Sequence, residues 1–279
     1  MRHAQPQFNE HESSNGAPPL QAPAAIIMAA GKGTRMKSDL PKVVHPVGGR
    51  PMVCAVVDAC REAGCKRVVV IVGYGQEHVR EALADYSDVE FVVQDEQLGT
   101  GHAVVCARPA FEGDLPDDAA PLDAFVLAGD GPLIRPATLR ALLDRHRATG
   151  AGASLATAVL DDASGYGRIV RDTGGGFRGI IEQKNATPEQ LEIKEVNPSY
   201  YCFRVKDLFR ALEQVKRNEL TGEYYVTDVP ALLLAEKLGV EVIDAVPAED
   251  VLSINTLEHL AEVDRIFRER HGLTESATG

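Results

Sequence analysis

The feature that most constrains the fold is an alternation of short apolar runs with longer amphipathic runs, beginning at residue 24. A short apolar run bounded by turn residues is typical of a buried strand, and an amphipathic run is typical of a helix packed on a sheet. Strands that alternate with helices need crossover connections, which favour a mostly parallel sheet covered on both faces. The sequence therefore predicts an α/β fold. The predicted elements are strands at residues 24–30, 67–72, 89–93, 123–128 and 153–159, and helices at 52–63, 77–84, 101–107 and 136–149.

The pattern changes after about Gly165 to short β-like segments separated by Gly, Asn and Pro. Such segments favour antiparallel strands, and we expect them to form a smaller part of the fold that shapes a substrate pocket. The predicted elements of this half are strands at residues 168–171, 177–183, 196–203 and 240–245, and helices at 205–215, 229–238 and 256–270.

We expect one folded domain over residues 24–273. Residues 1–23 are rich in Gln, Asn, Ser, Pro and Glu, and they contain too few apolar side chains to offset the entropy of ordering. They are predicted to be a disordered extension, and residues 274–279 are predicted to be a frayed tail.

Charge and composition exclude several classes of function. A formal net charge of −12 argues against a nucleic-acid surface, which needs clustered Lys and Arg. No apolar run approaches the roughly 20 residues that span a bilayer, and residues 1–23 lack the basic-then-apolar order of a signal peptide, so neither membrane insertion nor secretion is expected. The five cysteines form no C-x-x-C pair, so a cytoplasmic location without zinc or disulfides is predicted. Nothing in the sequence indicates an oligomeric state.

A Gly-rich loop with clustered cations follows the first predicted strand. Gly31 and Gly33 allow backbone N–H groups to approach phosphate oxygens, and Lys32, Arg35 and Lys42 supply positive charge. The carboxyl end of a strand is where open parallel sheets bind ligands. The loop matches neither the Walker sequence nor the dinucleotide G-x-G-x-x-G. We interpret it as a phosphate-binding loop, and the alternative is a tight strand-to-helix turn.

Two further segments carry candidate ligand groups. Asp130 follows an apolar run and precedes Gly-Pro, so its carboxylate is a candidate Mg²⁺ ligand; the alternative is a turn aspartate. Gln94 and Gln97 carry amides that match the donor and acceptor edge of a base, beside Gly99 and Thr100. The alternative for this second segment is a Gly-rich helix entry with Thr100 as the N-cap.

Several motifs in one order resemble the uridylyltransferase domain of bacterial UDP-N-acetylglucosamine pyrophosphorylases, which are sugar nucleotidyltransferases. The resemblance covers about residues 24–270. Its motifs are MAAGKGTRM at 28–36 with Pro41-Lys42, QDEQLGTGHA at 94–103, GDGPL at 129–133, GYGRI at 165–169, IEQKNAT at 181–187 and GEYYVTD at 222–228. The resemblance implies a Rossmann-like nucleotide-diphospho-sugar transferase fold. It also implies Mg²⁺-dependent conversion of UTP and N-acetylglucosamine 1-phosphate to UDP-N-acetylglucosamine and pyrophosphate.

The resemblance also implies a role for each matching residue. Asn255 is the implied second metal ligand; the alternative is an N-cap, because Asn255 precedes Glu258 by three residues at the start of a predicted helix. The implied catalytic residues are Arg35 and Lys42; the substrate-binding residues are Ala30, Gly31, Gly33, Gln94, Gln97, Gly99, Thr100, Gly167, Glu182 and Asn197; the metal ligands are Asp130 and Asn255.

The sequence departs from the family pattern at two places. Pro198-Ser199 replaces the usual Thr or Ser followed by Gly, and Ser253 replaces the usual Gly. A side chain added beside the sugar leaves another hexose 1-phosphate as an alternative substrate. A related enzyme that uses glucose 1-phosphate or dTTP is the alternative within the same class. A noncatalytic nucleotide-sugar binding domain is a second alternative.

Overall fold

The computed structural model of the protein describes residues 21–33, 36, 38–244, 246–252, 254 and 256–273. The strands are β1 (Ala24–Ala29), β2 (Pro46–Val47), β3 (Arg50–Pro51), β4 (Arg67–Val72), β5 (Val89–Val93), β6 (Asp123–Ala128), β7 (Ala153–Val159), β8 (Gly167–Arg171), β9 (Phe177–Ile181), β10 (Glu195–Arg204) and β11 (Val240–Ile243). The helices are α1 (Met52–Glu62), α2 (Gln76–Ala82), α3 (Thr100–Cys106), α4 (Pro136–Thr149), α5 (Pro188–Leu191), α6 (Val205–Leu212), α7 (Val229–Ala235) and α8 (Leu257–His271).

The central sheet runs in the order β11-β7-β10-β6-β1-β4-β5. Four of the six pairings along this order are parallel, and the antiparallel strand β10 lies between β6 and β7. The hairpin β8–β9 extends from β10 as a smaller antiparallel part. The predicted α/β class, with a mostly parallel sheet and an antiparallel part, is confirmed.

The sheet is buried on both faces because its central strands are continuously apolar. In β1, Ala25 and Ile27 point into one core layer, and Ala24 and Ile26 point into the other. Helices α1 and α4 cover the first face, whereas α3, α6 and α7 cover the second. At about 25 cal/mol per Å² of apolar surface, this two-sided burial is the main stabilising contribution of the fold.

Most differences from the predicted elements lie at element ends. The predicted helix 205–215 ends at Leu212, and the predicted strand 177–183 ends at Ile181, before a 3₁₀ turn. The predicted strand 240–245 ends at Ile243, and residue 245 is outside the described residues. The β2–β3 hairpin was not predicted; its turn holds Gly48 and Gly49 at φ 62° and 84°, the left-handed pair of a tight hairpin turn.

The predicted extension and tail fall mostly outside the described residues, at 1–20 and 274–279. Gln21 is held to the domain, because its side chain donates to Ala120 O and its carbonyl accepts from Arg147. Among the helices that the structure describes, none has the length and apolar character needed to cross a membrane.

Candidate active site

A cleft of about 350 Å³ opens where β1, β5 and β6 end. Because parallel strands present their carboxyl ends at one edge of the sheet, loops that are far apart in sequence meet there. Nine of the predicted site residues line this cleft. They are Ala30, Gly31, Gly33, Lys42, Gln94, Gln97, Gly99, Thr100 and Asp130.

The first loop of the cleft is shaped by backbone contacts. Ala30 O accepts hydrogen bonds from Tyr74 N at 3.1 Å and from Gln97 Nε2 at 2.6 Å. A Cβ on Gly31 would meet nothing within 4 Å, so its backbone faces open space. Gly33 has φ 67°, and a Cβ there would lie 2.6 Å from Lys42 Cβ. The sequence therefore needs glycine at 33 for both conformation and space. The predicted catalytic Arg35 lies outside the described residues.

Lys42 and Asp130 form an ion pair on one wall of the cleft. Lys42 begins a 3₁₀ turn after Pro41. Asp130 follows β6, and the hydrogen bond from Gly129 N to Met28 O, at 2.9 Å, extends the pairing of β6 with β1 up to this point. Their side chains are only 16% and 18% exposed. Partial burial weakens solvent screening, so each charge strongly influences the other and any phosphate between the loops.

The loop that carries Gly99 and Thr100 is fixed by a segment from the second half of the chain. Tyr224 N donates to Leu98 O at 2.7 Å, and Gly101 N donates to Tyr224 O at 2.8 Å. Thr100 Oγ1 accepts from Val226 N at 3.1 Å. The N-cap of α3 is Gly99, so the alternative reading of Thr100 as a helix cap is wrong.

The predicted sugar-binding residues Gly167, Glu182 and Asn197 are not among the residues that line this cleft. Gly167 pairs with Asn197 between β8 and β10. Asn197 is buried; its Nδ2 donates to Tyr201 Oη at 2.6 Å, and its Oδ1 accepts from Ser199 N at 3.2 Å. Neither Gly167 nor Asn197 is among the residues that line the cleft of about 350 Å³. Glu182 lines a separate polar cavity of about 270 Å³, with Asn185, Asn218, Tyr225, Thr227 and Asp228 among its other lining residues.

Two carboxyls of this second cavity are perturbed by burial. Burial raises the pKa of Glu182; the carboxylates of Asp228 and Glu223 act in the same direction, and the Thr227 hydroxyl and Lys184 oppose it. Burial also raises the pKa of Asp228. Thr227 Oγ1 donates to Glu182 Oε1 at 3.1 Å. The cavity thus combines hydroxyl, amide and carboxyl groups, which suits a ligand rich in hydroxyls.

Comparison with known proteins identifies the family of the chain. The model of the MobA-like NTP transferase domain matches residues 25–227. The chain belongs to this family. Transfer of a nucleotidyl group is accordingly the reaction class of this MobA-like transferase, and the nucleotidyltransferase resemblance drawn from its motifs is confirmed.

Curated relatives narrow the comparison. This MobA-like transferase is 45% identical over 246 residues to the "Bifunctional protein GlmU" of Geobacillus sp. (strain WCH70), a match that covers 88% of the chain and 52% of the relative. It is 44% identical over 247 residues to the protein of the same name from Geobacter metallireducens, with 88% and 51% covered. The chain spans about half the length of the curated relatives it matches.

Solved structures confirm the fold of this MobA-like transferase. A putative glucose-1-phosphate thymidylyltransferase from Bacillus anthracis superposes with a TM-score of 0.73 at 18% identity, covering 89% of this chain and 96% of that one. A UDP-glucose pyrophosphorylase complexed with UDP-glucose superposes with a TM-score of 0.68 at 17% identity, covering 90% and 100%. At these identities the likeness establishes the fold alone.

Asp130 places one carboxylate in the cleft, which is the kind of oxygen donor that a divalent metal ion would need. Mg²⁺ takes one or two protein carboxylates and completes its shell with substrate phosphates and water. Among the described residues, no group of three or more His, Cys, Asp or Glu could hold a metal, so a dedicated protein cage is absent from this part of the chain. The predicted second ligand, Asn255, lies outside the described residues. The N-cap of α8 is Thr256, whose hydroxyl accepts from His259 N at 3.2 Å.

Two of the polar residues that line the cleft, Ser199 and Glu223, were not predicted as site residues. Ser199 has φ 64° in an irregular part of β10, a conformation that is uncommon for a residue with a side chain. Glu223 packs beside Gly99. The departure at 198–199 was the available signal for Ser199, whereas the location of Glu223 depends on a contact across more than a hundred residues.

Replacing Glu182 by Gln should stabilise the protein at neutral pH. A folded-state pKa above the unfolded value means that this group favours folding when protonated, and the contribution is lost as pH rises through the folded pKa. The uncharged Gln keeps an oxygen that accepts the Thr227 hydrogen bond, but it does not ionise, so the variant does not lose this stability as pH rises. The melting temperature of Glu182→Gln minus that of wild type should therefore grow between about pH 4 and pH 7.

The control for this measurement is Glu192→Gln, because Glu192 is an exposed carboxylate. Its melting-temperature difference from wild type should stay flat across the same pH range. A flat profile for Glu182→Gln would contradict a raised Glu182 pKa.

Proposed function

We propose that the chain transfers a uridylyl group from UTP to N-acetylglucosamine 1-phosphate, with Mg²⁺, to give UDP-N-acetylglucosamine and pyrophosphate. The observation that carries the proposal is the meeting of the Gly31–Gly33 loop, the Lys42–Asp130 pair and the Gln94 loop in one cleft. These groups suit a phosphate chain, a metal and a base, in that order. Identity of 41–45% to proteins named GlmU supports the choice of substrates.

The chemistry needs alignment and charge neutralisation more than proton transfer. A phosphate monoester near neutral pH carries ionised oxygens, so a sugar-phosphate oxygen can attack the α-phosphorus in line without a general base. Lys42 would bridge the sugar phosphate and the α-phosphate, and Asp130 would hold the metal, with Asn255 as the predicted second ligand. Arg35 is predicted to stabilise the leaving pyrophosphate. Bound Mg²⁺ would supply neutralisation of the phosphate charge.

We assign the reaction to the cytoplasm. All five cysteines are free thiols, and four of them are buried, which fits a reducing compartment.

Pyrophosphate release with UTP and a panel of sugar 1-phosphates tests the proposal. Wild-type protein with Mg²⁺ should favour N-acetylglucosamine 1-phosphate, and Asp130→Asn should lose at least about 100-fold in turnover because an amide is a poorer metal ligand. Omission of the divalent cation should have the same effect. If folded protein binds UDP-sugar but releases no pyrophosphate with any sugar 1-phosphate or nucleotide, a noncatalytic binding domain is favoured instead.

A different hexose 1-phosphate is the second candidate substrate. The presence of Ser199 in the cleft favours it. Ser199 lines the same cleft as Asp130, at the position where the family usually has glycine. A group that adds bulk next to a sugar can reject a large substituent.

Replacing Ser199 by Gly separates specificity from backbone strain. Because φ is 64°, the change should relieve about 1 kcal/mol of left-handed strain, partly offset by the greater freedom of glycine in the unfolded chain. Lys237→Gly is the matched control, since Lys237 has the same φ of 64° at the end of α7. Both variants should melt at or slightly above the wild-type temperature. Only Ser199→Gly should change the ratio of kcat/KM for N-acetylglucosamine 1-phosphate and glucose 1-phosphate; an unchanged ratio removes Ser199 from sugar selection.

A further inference from the structure

Gln94 is a buried amide at the end of β5, only 4% exposed. Its backbone N–H donates to Val72 O at 2.8 Å and continues the β4–β5 hydrogen bonding, so the residue is held in register. Its side-chain nitrogen makes two contacts, with Gly99 O at 3.1 Å and with His102 Nδ1 at 3.0 Å. Both donors of the amide are therefore used within the protein.

These two partners fix which way the amide faces. Gly99 O can only accept, and it is itself held in the first turn of α3, where it accepts from Ala103 N at 3.1 Å. His102 Nδ1 accepts when the imidazole proton is on Nε2, which defines one tautomer. A reversed amide would set its oxygen against the Gly99 carbonyl and leave its N–H groups without these partners, which a buried site disfavours.

The orientation leaves Gln94 Oε1 as the group available to a ligand. Among the described residues, no donor is hydrogen-bonded to this oxygen, and Gln94 lines the cleft. The neighbouring Gln97 likewise uses its nitrogen on the protein, through Ala30 O at 2.6 Å. This part of the cleft therefore presents amide oxygens, which select a hydrogen-bond donor on the bound base.

We propose that His102 is a positioning residue that holds the Gln94 amide in this orientation, so that the cleft selects a pyrimidine with an N3–H group. The inference rests on the proposed function, in which the nucleotide is UTP. Uracil offers N3–H as a donor, whereas the N3 of cytosine is an acceptor and would oppose Gln94 Oε1. A mismatch of this kind at a buried group lowers affinity roughly 10- to 100-fold.

Binding of UTP, CTP and 3-methyl-UTP to the full chain, measured by calorimetry with Mg²⁺, tests the assignment. In 3-methyl-UTP an N-methyl group replaces the N3–H donor of uracil, so a hydrogen bond to Gln94 Oε1 is blocked. Wild-type protein should bind UTP at least about tenfold more tightly than either analogue. His102→Phe keeps a ring but removes the acceptor, and it should weaken UTP binding while leaving 3-methyl-UTP binding unchanged. The preference for UTP should therefore fall by about tenfold.

His102→Asn is the matched variant, because Asn Oδ1 offers an acceptor bonded to the same side-chain carbon position as His Nδ1. It should keep the preference for UTP within about threefold of wild type, since a comparable hydrogen bond remains. A full wild-type preference in folded His102→Phe would overturn the proposal. Equal binding of UTP and 3-methyl-UTP by wild type would also overturn it.

A spectroscopic measurement keeps the proposal testable if His102→Phe does not fold. In ¹⁵N-histidine-labelled wild type, the His102 signal, assigned by its loss in His102→Asn, should show Nδ1 without a proton and Nε2 with one. A protonated Nδ1 in the neutral ring would overturn the assignment. Turnover separates a failure of the proposed reaction from a failure of the proposed role of His102. Wild-type protein that discriminates the three nucleotides but releases no pyrophosphate would refute the reaction and would still support the role of His102.

Discussion

Replacing Lys42 by Met should lower turnover about 100- to 1,000-fold, the range seen when one preorganised charge-stabilising donor is removed from a reacting centre. Methionine keeps most of the apolar stem, so packing against Gly33 is preserved while the ammonium is lost. Because Lys42 would contact phosphate most strongly as charge redistributes, kcat should fall more than KM rises. Steady-state pyrophosphate release at saturating UTP and sugar phosphate measures both.

The same variant should remain folded. The Lys42–Asp130 pair is partly exposed, so its loss should cost about 1 kcal/mol, between the values for surface and buried pairs. Lys66→Met is the matched control, because Lys66 is exposed and does not line the cleft. Lys66→Met should retain wild-type turnover. Near-normal turnover of Lys42→Met, at an unchanged melting temperature, would remove Lys42 from the mechanism.

The part of the fold that sequence could predict is the part governed by periodicity. β1 and residues 68–72 of β4 are uninterrupted apolar runs, and only a sheet buried on both faces accommodates them. The insertion of antiparallel β10 between β6 and β7 depends on pairings such as Tyr201 with Val126 and Leu155, which are distant in sequence. Local pattern carries no information about such partners, so strand order had to come from the structure.

In the candidate site, too, some features could be predicted from the sequence and others could not. Gly33 and Asp130 could be predicted as candidates because each lies in the loop after a predicted strand, and Lys42 because it adds a third cation to those of the first loop. The hydrogen bonds from Gln94 to Gly99 and His102 could not be predicted, since they depend on side-chain direction rather than residue type. From the sequence, both the oxygen and the nitrogen of the Gln94 amide are candidates for contact with a base. In the structure the nitrogen is hydrogen-bonded within the protein, so only the oxygen remains for a ligand.

Replacing Gly99 by Ala should cost roughly 2–5 kcal/mol of stability, the sum of left-handed backbone strain and overpacking. Gly99 has φ 102°, and a Cβ there would lie 2.5 Å from Tyr224 O and 2.9 Å from Tyr224 N. Tyr224 cannot move aside freely, because its backbone N–H and carbonyl are hydrogen-bonded to the backbones of Leu98 and Gly101. For a domain of this size, a change of 1 kcal/mol shifts the melting temperature by about 2–4 °C, so the effect is readily measured.

Gly64→Ala is the control that isolates the contact from the conformation. Gly64 also has φ 102°, but a Cβ there would meet nothing within 4 Å. It should therefore lose only the strain energy, about 1–3 kcal/mol, and keep the wild-type KM for UTP. Gly99→Ala should also raise that KM about tenfold, because displacing the Gly99 carbonyl releases the Gln94 amide from one of its two anchors. Equal stability losses in the two variants, with equal KM values, would mean that the Tyr224 segment yields to the added methyl group and that the Gln94 loop is not held by it.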